Sequence, residues 1–275
     1  MPFEAYKIYE EYEPDKFKTS TQKKVEQALD TAKREGLVPE AKEVNIEFDE
    51  AREIFGKDFL GPEAIKTTYG VELTPDELQE IENIPFTREE LEQAKQLGMM
   101  LVLRVPSIGE GKEAKPLTID QIREKFSGGD TLGDPKKKKK KMFYRSKGDG
   151  WFDKEKFALQ ETPKLGWGLV MKSVLPESLS KNWDQQEEVL KNWAKQNNID
   201  PTLVKRRTPV EIVYDTFLYY GENKETLLGD KWDWSGVQSS DGNFVDVGYF
   251  GSDGLIVNRV TRGRTYSNLG VCPSR

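Results

Sequence analysis

The sequence predicts an α+β protein from two contrasting halves of the chain. Before residue 127 the chain is rich in Lys and Glu and repeats its apolar residues at helical spacing. All six tryptophans lie after residue 150, where a strand and two helices are followed by short alternating strands. Segregated helices and strands in this order are typical of the α+β class. We therefore expect a mostly helical α+β N-terminal region at 1–127, a Lys/Gly-rich loop at 128–150 and a C-terminal domain at 151–275.

Helical patterns dominate the N-terminal region. The predicted helices are Thr19–Glu35, Asp49–Gly56, a segment that follows Pro62 and ends at Gly70, Thr87–Leu97 and Thr118–Phe126. Thr87 and Glu90 have the spacing of a capping box. Two strands are also predicted, an alternating one at Glu43–Phe48 and a nearly continuous apolar one at Met99–Val105. The second is typical of a strand that is buried on both faces.

The C-terminal domain is predicted to start with a strand and two helices. The strand is Trp167–Val174, and the first helix is Asn182–Gln196. Its inward residues are Trp183, Val189, Leu190 and Trp193. The second helix is Pro209–Tyr220, with Thr208 as its N-cap and proline at its first position. Its apolar face consists of Val210, Val213, Tyr214, Phe217 and Leu218.

Three short strands are predicted to close the chain. They are Phe244–Phe250, Leu255–Val260 and Leu269–Ser274, separated by turns with Asp-Gly or Arg-Gly pairs. Terminal strands are tied down when they are ordered. We expect the strand at 167–174 to share a sheet with the terminal strand, with both helices packed on one side.

The composition excludes several kinds of site. The 275 residues include no histidine and one cysteine, Cys272, so the chain lacks His-dependent catalytic triads, zinc sites with His or clustered Cys ligands, and internal disulfides. We therefore expect no cofactor and no tightly bound transition metal. Oxygen-ligand sites for Ca²⁺ or Mg²⁺ and carboxylate-based catalysis remain compatible with the composition.

Charge and hydropathy limit the partners. A net charge of -6 argues against general binding to nucleic acid or to anionic membranes. The sequence has no apolar run of about 18 residues, the length that a membrane span needs. Its acidic, mixed start is unlike a secretory signal. We expect a cytoplasmic protein with no specific nucleic-acid partner, and surface display by another route stays open.

Three further motifs each have a functional and a structural interpretation. The run Lys136–Lys141 suggests an acidic partner, but six lysines without interleaved aromatics favour a solvated, mobile loop. Asp241, Asp246 and Asp253 suggest a calcium loop, but their spacing does not match the helix-loop-helix calcium motif, and turn formation is favoured. Cys272 suggests a reactive thiol, but its apolar surroundings favour an inert core position.

The C-terminal end has the composition of a binding surface. From Trp232 to Arg275 the chain contains no Lys and no Glu, although 33% of all residues are charged. Lys and Glu are depleted at interfaces, whereas Arg, Tyr, Ser, Gly and Asn are enriched in interfaces or paratopes. Strands and turns also disfavour Lys and Glu, which explains much of the depletion. We predict that one exposed ligand-binding face is formed by Tyr249, Ile256, Asn258, Arg259, Thr261, Arg262, Arg264, Thr265 and Tyr266.

An irregularity is required for this face to form. The inward residues are expected to be Val245, Val247, Val257 and Leu269. Strict alternation would place Tyr249 on the same face as Val245 and Val247. Exposure of Tyr249 therefore requires a β-bulge near Gly248.

The same segments resemble a known family. SSDGNFVDVG, SDGLIVNRV and NLGVCPSR resemble the closing strands of C-type-lectin-like domains of the formylglycine-generating-enzyme type, although Val271 stands where that family usually has an aromatic residue. The stretch RRTPVEIVYDTFLYYGENKETLLGDKWDWSG with LGVCPSR also resembles uncharacterised proteins of candidate-phylum bacteria. That group is identified with the variable proteins of diversity-generating retroelements. The resemblance covers roughly residues 166–275.

The resemblance implies a display protein. In that family a lectin-like fold carries a hypervariable ligand-binding surface near the C-terminus. The oxidase branch of the fold needs active-site cysteines, and Cys272 alone does not provide them, so no enzyme activity is expected. The implied partner is an unknown protein or other macromolecule. Two alternatives stay open, namely a structural or surface-attachment protein with a fixed partner and a carboxylate-based hydrolase.

Overall fold

The computed structural model describes residues 46–108, 114–128 and 141–275. These residues contain eight α-helices and nine strands. The helices are α1 (Phe48–Phe55), α2 (Pro62–Tyr69), α3 (Pro75–Ile81), α4 (Arg88–Gln96), α5 (Ile119–Lys125), α6 (Lys156–Leu159), α7 (Trp183–Gln196) and α8 (Pro209–Asn223). The strands are β1 (Phe59–Leu60), β2 (Met99–Arg104), β3 (Ser107–Ile108), β4 (Lys115–Pro116), β5 (Gly166–Met171), β6 (Trp232–Gln238), β7 (Phe244–Gly251), β8 (Gly254–Val260) and β9 (Leu269–Gly270). The predicted α+β class is confirmed. The predicted helix Thr19–Glu35 lies outside the described residues.

Local capping signals set the helix boundaries. At α4, Thr87 Oγ1 accepts from the Glu90 amide and Glu90 Oε2 accepts from the Thr87 amide, so the predicted capping box is confirmed. The same reciprocal pair, formed here by Thr74 and Glu77, starts α3, and Pro75 follows the cap. The sequence contains this signal, but no helix was predicted at this position. The prediction of a strand at Glu43–Phe48 is wrong at its described end, because Phe48 begins α1.

The first sheet joins early and late parts of the chain. Its order is β1-β2-β5, with β1 parallel and β5 antiparallel to the central β2. All six residues of β2 are buried, which confirms a strand covered on both faces. Because β2 precedes residue 127 and β5 follows residue 151, the N-terminal and C-terminal sequence regions contribute to one sheet.

Helix α8 lies at the centre of the largest hydrophobic core. Its predicted apolar face is buried, and residues 212–221 are buried as a continuous run. Such all-round burial arises because α8 contacts helices on one side and strands of both larger sheets on others. The sequence predicted one apolar face and missed this central position.

The second large sheet has the order β8-β7-β6-β9. Strand β6 was not predicted, because its segment WDWSGVQ contains Asp, Ser and Gly, which are typical of turns. β7 pairs antiparallel with β6 and β8, and β9 pairs parallel with β6. One outer face of this sheet carries the candidate site.

The chain end does not follow the predicted sheet arrangement. β5 and β9 belong to different sheets, so the prediction that they share one sheet is wrong. After β9, however, residues 271–275 run antiparallel beside β5, where the Leu169 and Arg275 main chains exchange hydrogen bonds of 3.0 and 2.8 Å. Regular pairing stops at Gly270, and the terminal segment then moves from one sheet to the other.

The two long helices of the C-terminal region, α7 and α8, were predicted to pack on one side of the sheet, and the structure differs from this prediction. Val271 packs with Leu190 of α7 in a small cluster, whereas Cys272 belongs to the main core that contains α8. Adjacent residues of an extended chain point to opposite faces. The terminal segment is therefore covered by different helix clusters on its two sides.

Candidate ligand-binding groove

A groove of about 590 Å³ opens on the outer face of the β8-β7-β6-β9 sheet. Its floor comes from the strands, and one wall comes from residues 261–268, which we call the rim loop. The lining residues are Trp232, Asn243, Asp246, Asn258, Arg259, Val260, Thr261, Arg264, Tyr266, Asn268 and Leu269. Five of the nine predicted site residues are among them, namely Asn258, Arg259, Thr261, Arg264 and Tyr266.

A bulge in β7 exposes Tyr249. The register of β7 with β8 shifts between Gly248 and Gly251, and Tyr249 has a positive φ of 56°. Its ring therefore stacks on Trp232, with ring centroids 5.6 Å apart, while Phe250 turns into the main core. The predicted bulge near Gly248 is confirmed, and Tyr249 is 43% exposed.

The other predicted residues are accessible but lie beside the groove. Thr265 is exposed on the rim loop, and Ile256 is half-buried opposite Gly248. Arg262 points away from the groove and forms a bidentate ion pair with Asp184 at the start of α7. The residues predicted to point inward, Val245, Val247, Val257 and Leu269, are all buried.

Main-chain hydrogen bonds hold the rim loop in place. The amides of Ser180, Trp183 and Trp232 donate to the carbonyls of Tyr266, Arg262 and Asn268, over 2.9, 3.1 and 2.8 Å. Residues 261–267 are nevertheless exposed. Main-chain hydrogen bonds therefore help to hold the loop, and among its side chains Arg262 adds the ion pair with Asp184.

Two arginines line the groove, and their environments differ. Arg259 pairs with Asp241 at 3.0 Å and lies over the Trp151 ring at 4.4 Å. Arg264 is exposed, and it forms no ion pair with the residues that the structure describes. Arg264 is therefore the lining cation that is available to a ligand.

Asp246 is the unusual residue of the floor. It lies in the middle of β7, between Trp234 of β6 and Asn258 of β8, and is only 1% exposed. Its Oδ2 accepts a long hydrogen bond of 3.3 Å from Asn258 Nδ2, and its Oδ1 has no partner among the described residues. Burial without a cation raises the pKa of Asp246 to about 7.

Sequence reasoning placed Asp246 within the predicted strand Phe244–Phe250 but missed it as a site residue. The available signal was a single carboxylate inside the apolar run Phe244–Phe250, on the same face as Phe244 and Gly248. The floor residue Trp232 and the amides Asn243 and Asn268 were also missed. They come from β6 and from strand ends, whose positions depended on a strand that was not predicted.

The remaining sequence motifs lie elsewhere. Cys272 is fully buried, and burial raises the pKa of its thiol well above the ordinary value, as expected for an inert core position. Most of the run Lys136–Lys141 lies outside the described residues. In the described part of the chain, no group of three or more His, Cys, Asp or Glu is placed to hold a metal ion. Within the same residues, no helix has both the length and the apolar character that crossing a bilayer requires.

Comparisons with other proteins give no relative for this chain. No family model, no curated protein and no solved structure matches it.

Proposed function

We propose that this protein is a non-enzymatic ligand-binding protein whose C-terminal domain, of C-type-lectin-like type, displays a variable surface diversified by a retroelement. The surface consists of the rim loop and the groove beside it. The ligand is a protein or another macromolecule.

The main support is that the main chain of the rim loop is held by hydrogen bonds while most of its side chains are exposed. Its carbonyls accept hydrogen bonds from neighbouring segments, while the side chains of Thr261, Arg264, Thr265 and Tyr266 are exposed. We expect a loop held in this way to keep its shape when its exposed side chains are replaced. Exposed Arg and Tyr are also the residue types that contribute most to interface affinity.

The order of elements is compatible with the proposed fold. A strand, two helices and a set of short strands follow one another from β5 to β9, and the terminal segment returns to lie beside β5. The resemblance to lectin-like domains leads us to expect the terminal strand in the sheet of β5; residues 271–275 lie beside β5, whereas β9 pairs in the other sheet.

The first prediction tests tolerance of the surface. Replacing Thr261, Arg264, Thr265 and Tyr266 together with Ser, Gln, Asn and Ser should leave the melting temperature nearly unchanged, because exposed substitutions usually change stability by about 0.5 kcal/mol or less each. Thermal unfolding followed by circular dichroism provides the measurement. Val247→Ala, in the buried face of β7, is the control and should lower the melting temperature.

Unfolding of the fourfold variant would show that the loop side chains are structural, and the display proposal would then be abandoned. A genomic observation separates display from attachment to a fixed partner. A retroelement requires a template repeat and a reverse transcriptase near the coding sequence, whereas a fixed-partner protein requires neither.

A further inference from the structure

We infer that the groove binds a cationic side chain, a lysine ammonium or an arginine guanidinium of the protein ligand, with Asp246 as its counter-ion. This inference rests on the proposed function and specifies the chemistry of its ligand. The carrying observation is that Asp246 is a buried carboxyl group that lines a groove and has no cation of its own.

The other buried aspartates of this protein show what Asp246 lacks. Asp58 pairs with Lys95 and Lys172, and Asp120 pairs with Arg123 and Lys147. Asp215 and Asp233 both pair with Arg207. Among the five buried aspartates of the described residues, Asp246 alone has no ion pair with Lys or Arg. Buried charges are normally paired, so the partner of Asp246 is to be sought in the groove.

The surroundings of the carboxyl group favour a cation over a neutral donor. Trp232, two residues from the cross-strand partner of Asp246, contributes an aromatic ring to the same floor. An aromatic wall beside a carboxylate is a suitable environment for ammonium or guanidinium. Asn258 donates to Oδ2, and the buried Oδ1 has no partner among the described residues.

The other charged and titratable groups of the groove do not neutralise Asp246. Strand β8 contributes Arg259, whose charge is paired with Asp241, and the rim loop contributes Arg264 and Tyr266. From β6 and β9 only Trp232 and Leu269 line the groove, and neither carries charge. Burial brings the pKa of Asp246 to about 7, so its charge changes near neutral pH.

A small cation and its neutral analogue test this inference directly. N-acetyl-arginine amide and N-acetyl-lysine amide are titrated into the full-length protein, and the indole signal of Trp232 is followed by NMR. The neutral analogue is N-acetyl-citrulline amide, which has nearly the shape of the arginine probe. We expect saturable, weak binding of both cations and none of the citrulline compound.

The pH dependence follows from the titration of Asp246. The cation binds the ionised carboxylate, whose population falls as pH decreases through about 7. The apparent affinity is therefore expected to fall about tenfold between pH 8 and pH 6. Binding of the citrulline analogue as strong as that of the arginine probe, or cation binding that does not weaken at pH 6, would overturn the inference.

Three variants locate the binding site. Asp246→Asn should abolish cation binding, whereas Asp253→Asn, the same change at an exposed position of the β7–β8 hairpin, should leave it unchanged. Arg264→Gln removes a like charge from the groove lining and should raise the affinity for both cations. Retained binding in Asp246→Asn, or loss of binding in Arg264→Gln, contradicts the assignment.

Failure of this inference can be distinguished from failure of the proposed function. If the fourfold rim-loop variant stays folded but no cation binds, the display surface is retained and the counter-ion role of Asp246 is withdrawn. If the fourfold variant unfolds but the wild-type protein binds the cations through Asp246, the groove is a fixed binding site and the display proposal is withdrawn.

Discussion

At the scale of the residue, Asp246, the proposed counter-ion of the groove, links the stability of the protein to pH. Its ordinary pKa is 3.8, and burial in the sheet raises this value to about 7. Because no Lys or Arg compensates for the lost hydration, the folded state favours the protonated form. The same feature that makes the groove suitable for a cation therefore destabilises the ligand-free protein at high pH.

Asp246→Asn is predicted to stabilise the ligand-free protein in a pH-dependent way. Between about pH 4 and pH 7 the unfolded carboxyl group has lost its proton while the folded one retains it, so rising pH lowers the stability of the wild type through this group. The difference between the two pKa values corresponds to an upper limit of roughly 4 kcal/mol above pH 7. The amide keeps the shape of the side chain and does not titrate.

Urea unfolding at pH 4.5 and pH 8 measures this effect. The gain in the free energy of unfolding from Asp246→Asn should be small at the lower pH and large at the higher one. Asp253→Asn controls for net charge and should show little change at either pH. A gain that is equal at both pH values would mean that Asp246 does not titrate between them.

At the scale of the element, the bulge in β7 determines which side chains face the groove. It reverses the facing of Tyr249 and Phe250 relative to strict alternation, so that Tyr249 reaches the groove side and Phe250 fills the core. The bulge was predictable, because Val245 and Val247 had to be buried while Tyr249 had the character of a surface residue. The pairing of β6 beside Gly248 was not predictable, because β6 lacks a clear apolar alternation.

Gly248→Ala should destabilise the protein. Strand β6 approaches Gly248 so closely that a Cβ atom at this position would lie 2.2 Å from the Lys231 carbonyl oxygen and 2.7 Å from Trp232 Cα. The backbone has to move, and strain of this kind typically costs about 1–3 kcal/mol. Thermal unfolding is the measurement. Gly251→Ala is the matched control in the same strand, because its nearest contact would be 3.9 Å away, and it should have much less effect.

The same element shows where sequence reasoning succeeds and where it fails. The capping box at Thr87, the N-cap Thr208 with Pro209 and the apolar run of β2 are local signals, and they predicted α4, α8 and β2 with nearly correct boundaries. The floor of the groove requires four strands in the order β8-β7-β6-β9, which is a non-local property. The sequence alone shows Asp246 as an unusual carboxylate in an apolar strand. That Trp234 and Asn258 are its cross-strand neighbours becomes evident only from the register of β7 with β6 and β8.

At the scale of the whole molecule, a buried ionic network connects the two large sheets. Arg104 of β2 makes a bidentate contact with Asp215 of α8, and Arg207 joins Asp215 to Asp233 of β6 at 2.8 Å each. Asp233 also accepts from the amide of Cys272 in the terminal segment. The network therefore ties together the early strand, the central helix, the groove sheet and the chain end.

Disrupting this network is predicted to lower the free energy of unfolding more than disrupting a surface ion pair. Arg207 is fully buried and contacts two carboxylates, so Arg207→Met leaves Asp215 with only Arg104 and leaves Asp233 with no cation. Breaking a buried pair by removing one partner typically costs about 3–5 kcal/mol, whereas an exposed pair contributes at most about 1 kcal/mol. Denaturant unfolding measured by both tryptophan fluorescence and circular dichroism tests the prediction. Lys191→Met, which removes the exposed pair with Glu188, is the control and should change stability little.

Because the network spans both sheets, the fluorescence and circular dichroism transitions should shift together in Arg207→Met. Separate transitions would show that the two sheets unfold independently.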